Sequence, residues 1–236
     1  MNLSPAIPAA PKPHRGPNLL ILTLVYLAFL IAGGSKVSAA FHIPHDSADK
    51  AVAFVAQNSW AIRWGSFCEL GSAIPLGIFI ASTVSRLRFL GVRAAGESIA
   101  FFGGSAAATM LLFSSLCTWS LTRPGIAEAT GAVRALQALG FVGGGPGFAV
   151  PLGLFVAGVS IPAGLGKLIP RWLMWIGLGI ALACELASLT LLNFTAGYFI
   201  PVGRFLSILW MIGIALKLPK SVSAAAPGLQ STETGS

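Results

Sequence analysis

Charge is what this chain has least of. Only 9% of its 236 residues are Asp, Glu, Lys or Arg, and just seven are acidic, whereas about a quarter of an ordinary soluble domain is charged. With a mean hydropathy of +0.82, that deficit excludes a water-soluble globule. Cysteine is equally sparse: three residues without a CxxC pair exclude a disulfide-stapled secreted scaffold and a dithiol redox motif. Cys68, Cys117 and Cys184 all fall in apolar stretches and read as small packing residues. Histidine occurs three times and never inside an apolar segment, so a transmembrane bis-histidine haem has no ligands. Glycine is plentiful but has no triplet period, which excludes collagen. The net charge of +8 and pI near 10.0 come from basic residues scattered in ones and twos. They form no basic stripe and no aromatic stacking platform, so nucleic acid is excluded as a partner and the charges read as topology markers.

Apolar length is what the chain does have. A bilayer core about 30 Å thick needs roughly 20 apolar residues of helix, and six segments approach or meet that: Leu19 to Gly34, Ala61 to Val84, Ser98 to Leu121, Phe148 to Gly164, Leu173 to Leu192 and Tyr198 to Leu216. None alternates with period two as a transmembrane strand would. The expected fold is an all-α integral membrane protein, a six-helix transmembrane bundle embedded in the lipid bilayer. Ala129 to Phe141 is also helix-compatible and precedes the breaker run Gly143, Gly144, Gly145, Pro146, Gly147. It is read as an outer-surface or half-inserted helix, with the glycines as a bend feeding the fourth span. The run lacks the Lys and Ser or Thr of a phosphate loop.

Lys and Arg set the orientation, because the cytoplasmic side holds their excess. With the N-terminus inside, Lys12, Arg15, Arg86, Arg88, Arg93, Lys167, Arg171, Lys217 and Lys220 are cytoplasmic, while Lys36, Lys50, Arg63, Arg123, Arg134 and Arg204 fall outside or in the outer membrane half. Both termini are therefore placed in the cytoplasm. Val37, Ser38, Ala39 after the first apolar run resembles a signal-peptide cleavage site, but that run is read as a retained span. Residues 1–17 are expected to be a flexible cytoplasmic leader, 18–220 the membrane domain, and 221–236 a disordered cytoplasmic tail.

Some charges resist a topology role. Glu69 in the second span and Glu185 in the fifth sit in apolar helices, where an acid costs about 2.5 to 3.5 kcal/mol to insert. At 1.5 Å per residue, Glu69 and Glu185 each lie about 9 Å below the outer surface, and Arg204 in the sixth span reaches a similar depth. Small residues flank both acids on their helix faces: Gly65, Ser66, Ser72 and Ala73 around one, Gly177, Ala181 and Ser188 around the other. That pattern points both faces at neighbouring helices. The expected site is an outward polar pocket built from Glu69, Glu185 and Arg204, with Arg63 and Arg134 near its mouth. The competing reading is an ion pair or triad that only fixes helix register. Cys-Glu-Leu-Gly-Ser at 68–72 recurs as Cys-Glu-Leu-Ala-Ser at 184–188, but an inverted repeat would carry the motif to opposite depths, so the recurrence is read as coincidence. His42, His45 and Asp46 cluster on a loop without the one-face geometry of a helical metal motif, so no metal and no cofactor are assigned.

The stretch from Val150, Pro151, Leu152, Gly153 through Ile169, Pro170, Arg171, Trp172 to Ile200, Pro201, Val202, Gly203, Arg204, Phe205 resembles a family of small bacterial multi-pass membrane proteins classified only as a domain of unknown function. Pro170 with Arg171, Pro201 with Arg204 and Phe205, and the closing Lys217, Leu218, Pro219, Lys220 carry the likeness, which covers the last third of the chain. It implies a bacterial inner-membrane location and no activity. Three functions compete. The first is binding or transport of a small or amphiphilic ligand in the polar pocket. The second is an intramembrane enzyme using a buried Glu as general acid on a lipid or isoprenoid. The third is a subunit or scaffold for a membrane-protein partner.

Overall fold

A computed structural model describes residues 13–34 and 47–221. Its elements are helices α1 (Leu19–Gly34), α2 (Ala48–Gln57), α3 (Ser59–Phe89), α4 (Ala95–Ser120), α5 (Thr130–Gly144), α6 (Pro146–Leu165), α7 (Arg171–Leu186) and α8 (Phe199–Lys217), with two short 3₁₀ turns, Ala187–Leu191 and Phe194–Tyr198, between the last two. Among the described residues there is no strand, only one antiparallel bridge between Pro13 and Ser221. Five apolar stretches are long enough to cross a membrane: Ser59–Phe89, Ala95–Ser120, Thr130–Leu165, Arg171–Leu191 and Phe194–Lys217. Helix α1 is as apolar but has 16 residues, about 24 Å at 1.5 Å per residue and so shorter than a bilayer core. Below, "upper" denotes the end of the bundle where α3 begins and α4 finishes, and "lower" the opposite end.

Glycines set the closest helix contacts. In α4, a Cβ on Gly103 would lie 2.6 Å from Leu154 Cβ and from Pro151 O of α6; lower down, one on Gly158 would lie 2.6 Å from Gly96 O. These contacts run antiparallel and continue upward, where Gly140 of α5 abuts Thr118 of α4. The fourth apolar stretch is thus α5 and α6 taken together, broken at the single residue Gly145, and the last turns of its α5 part pack on α4, where Gly140 and Gly143 meet Thr118 and Phe113. Cys184 of α7 is caught between Gly153 of α6 and Gly203 of α8: a Cβ added to Gly153 would lie 2.7 Å from Cys184 Cβ, and one added to Gly203 would lie 2.5 Å from Cys184 Sγ. All three cysteines are buried and free. At the bundle centre Phe79, Phe155 and Trp210 form an edge-to-face column, with centroids 6.2 and 5.8 Å apart.

Three further differences from the sequence reading have local causes. The link between the first two apolar segments, read as a polar loop, contains α2. Asp49 sits in its first turn, where an acid favours the helix dipole, and Ala51 and Val55, four apart, pack with Ile62, Leu121 and Val133. Helix α7, in the segment read as a span from Leu173 to Leu192, stops at Leu186 and tightens into 3₁₀ turns, and the Asn193 carboxamide then accepts from Thr195 N and Oγ1 at 3.1 and 2.8 Å. The described ends of the leader and tail also meet: His14 N donates to Lys220 O at 2.7 Å, and the His14 ring reaches Ser85 Oγ at 3.1 Å and Phe89. Lys12, Lys36, His42, His45 and Asp46 lie outside the described residues.

Candidate functional site

Between α1, α3, α4, α5 and α8, toward the upper end, the bundle forms an open-sided cavity of about 500 Å³. Helical spacing explains its α3 wall. Ile62, Gly65, Ser66 and Glu69 recur at three- and four-residue intervals and so share one face. From α4 come Ser114 and Thr118, again four apart, and from α5 Gly140, Phe141 and Gly144. The remaining wall is apolar: Phe29 and Leu30 on α1, Ile200, Pro201 and Phe205 on α8.

One polar cluster interrupts this lining. Glu69 Oε1 lies 4.0 Å from an Arg204 guanidinium nitrogen. Ser114 Oγ is 3.2 Å from the same carboxylate oxygen and 2.9 Å from Gly140 O. Its single proton can serve only one of those acceptors at a time. Arg204 donates a long bond to Gly144 O at 3.4 Å and stacks over the Phe148 ring at 4.9 Å. The buried Tyr26 of α1 approaches the same guanidinium through its hydroxyl. Six helices, α1, α3, α4, α5, α6 and α8, therefore converge on one pair of opposite charges, with the Gly140 and Gly144 carbonyls coming from the last turns of α5, just before the break at Gly145. A Cβ on Gly144 would lie 2.6 Å from Ser114 Oγ and 3.3 Å from Glu69 Oε1, so the backbone must be bare there for the cluster to assemble.

Of the five charged residues expected at the site, the structure brings together two, Glu69 and Arg204. Glu185 is at a comparable height, because its neighbour Cys184 abuts Gly203, but it does not line the cavity. Consecutive helical residues are rotated by about 100°; with Cys184 buried between Gly153 and Gly203, Glu185 turns to the exposed side of α7, beside Gly153. The two matching pentapeptides accordingly have different surroundings. Arg63 also lies outside the lining: its Nε and Nη2 donate to Thr122 Oγ1 and Thr122 O at 3.2 and 3.1 Å, tying the start of α3 to the end of α4. Arg134 is exposed on α5, six residues before Gly140 and not in the cavity wall. Tyr26, Ser114 and Phe148 join the site without having been expected there. Only Tyr26 carries a signal in the sequence, as one of two tyrosines in the chain and the one placed inside an apolar run.

The fold and site define a helical bundle, able to sit in a membrane, with a charged pair inside an apolar chamber. No protein family model matches the chain, and no match was found among curated proteins or solved structures.

Proposed function

We propose that the protein is a six-span membrane protein of the bacterial inner membrane, with both termini cytoplasmic, that binds or transports a small or amphiphilic ligand in the chamber around Glu69 and Arg204. The observation that carries this reading is the chamber itself: about 500 Å³ falls in the range of ligand pockets, and a mostly apolar lining with few polar groups is their usual make-up. A charged pair that served only to lock helices would close to full contact, as Arg88 and Glu97 do at 2.8 Å, and would leave no space beside it. The topology is supported by Arg86, Arg88, Arg93, Lys167, Arg171, Lys217 and Lys220, which all belong to the lower ends of helices or the links between them. The enzyme alternative, a buried Glu acting as general acid on a lipid or isoprenoid, has one candidate in the chamber, Glu69, and no second carboxylate there to act as base.

The test is ligand retention or flux by the purified protein in proteoliposomes. Glu69→Gln and Arg204→Gln should each abolish retention or flux of the ligand that the wild-type protein takes, while leaving a monodisperse, folded protein. Glu185→Gln should leave it intact. Full function in Glu69→Gln would sink the proposal.

A further inference from the structure

The polar cluster and the shape of the chamber together narrow the ligand class, on the premise that the chamber is a ligand site. First, the Glu69 and Arg204 charges cancel, and they do so at 4.0 Å, leaving hydrogen-bonding capacity on both. Arg204 has five N–H donors, of which one makes a long bond to Gly144 O and another is approached by the Tyr26 hydroxyl; Glu69 shares one serine proton with a backbone carbonyl. A head group that offers both a donor and an acceptor satisfies both sides. A group carrying net charge would add an unbalanced charge to a site of low polarity, where that is costly. Second, the wall has a seam. On α8, Pro201 and Phe205 line the chamber and are also exposed on the outside of the bundle, Phe205 by 61%. Phe29 and Leu30 of α1 line the same chamber. Residues that belong to both the inner lining and the outer apolar surface mark an opening, and this one gives onto the face flanked by exposed Val25 and Leu206, a surface fit for acyl chains and not for water.

We propose that the chamber takes a lipid-derived amphiphile whose head group is neutral or zwitterionic, admitted sideways from the bilayer between α1 and α8. The head sits between Glu69 and Arg204, and the chain lies along Phe29, Leu30 and Phe205. The site's charge balance selects the head, and the seam selects for a chain.

The full-length protein, exchanged into amphipol, is offered four dodecyl probes and the retained ligand is read by native mass spectrometry: monododecanoylglycerol, dodecylphosphocholine, dodecyl phosphate and dodecyltrimethylammonium. The first two should bind about tenfold or more tighter than the last two. Free glycerol and phosphocholine, which lack a chain, should not be retained. Removing one charge should reset the preference: Glu69→Gln toward dodecyl phosphate, Arg204→Gln toward dodecyltrimethylammonium, an inversion that a purely structural pair would not produce. Should either variant fail to fold, Leu30→Trp and Phe205→Trp provide a separate arm, since a narrowed seam should slow probe exchange several-fold. A wild-type preference for a charged probe, equal binding of chainless heads, or unchanged exchange in the tryptophan variants would overturn this inference while leaving a ligand site. Retention of no probe at all would overturn the site as well.

Discussion

At the scale of single residues the site depends on what is missing as much as on what is present. Gly144 carries no Cβ, and the space is taken by Ser114 Oγ on one side and Glu69 on the other. Gly144→Ala should therefore push the serine off both acceptors, with a cost of about 1 to 3 kcal/mol typical of overpacking, and should lower probe retention at least as much as Ser114→Ala does. Gly179, inside α7, has nothing within 4 Å of the position a Cβ would take, so Gly179→Ala should be neutral or raise the melting temperature slightly, following helix propensity. Measuring both variants by thermal melting in detergent separates contact from propensity. A Gly144→Ala protein as stable and as retentive as wild type would mean the serine bridge is dispensable. The contrast also shows where sequence reading stops: Gly144 reads as part of a breaker run and Gly179 as part of an apolar helix, but nothing along the chain says that the first faces a serine from a helix some thirty residues earlier.

At the scale of elements, periodicity is legible in the sequence, whereas rotation and break position are not. The apolar run Leu19–Gly34 coincides with α1, and those of α3, α4 and α8 fall within or close to the helices, because apolar runs bounded by Arg, Lys or Pro report helix length directly. Glu69 and Arg204 are legible as a pair because an ionised group in an apolar helix has few ways to avoid lipid. Glu185 satisfies the same rule and yet faces outward, because the packing of Cys184 between two glycines fixes the rotation of α7 and the neighbouring position has to follow. Depth is a sum over residues and can be counted; rotation depends on partners from other helices. The α4 and α6 seam gives an element-scale prediction. Gly158 lies with Gly96 O at 2.6 Å and Ala100 N at 2.7 Å from its missing Cβ, and both are backbone atoms in packed helices that cannot swing aside as a side chain would. Gly158→Ala should force the two helices apart and destabilise the bundle by about 1 to 3 kcal/mol or more. An unchanged melting temperature would show that the seam can slide.

At the scale of the whole molecule, the described ends of the chain close the lower face of the bundle. Pro13 pairs with Ser221, His14 N–H donates to Lys220 O, and the His14 ring lies against Phe89 and Ser85. The Pro-rich and Ser-rich composition that marks leader and tail as flexible cannot show this, because one bridge and one ring contact leave no periodic trace. Partial burial, and secondarily the Arg86 guanidinium nearby, hold the His14 imidazole below its ordinary value of 6.5, so the docked form is the neutral one. A histidine whose value is lowered by docking releases its contact on the acid side: the contribution is complete above about pH 6.5 and is lost as pH falls through the docked value. Hydrogen exchange at the amide of His14, which is bonded to Lys220, should therefore be slow at neutral pH and faster near pH 5 beyond the intrinsic pH effect. His14→Phe keeps the ring against Phe89 and cannot be protonated, so it should remove the pH dependence and preserve protection at both values. If protection is the same at the two pH values in the wild-type protein, the clasp is held by the backbone bridge alone and the imidazole has no part in it.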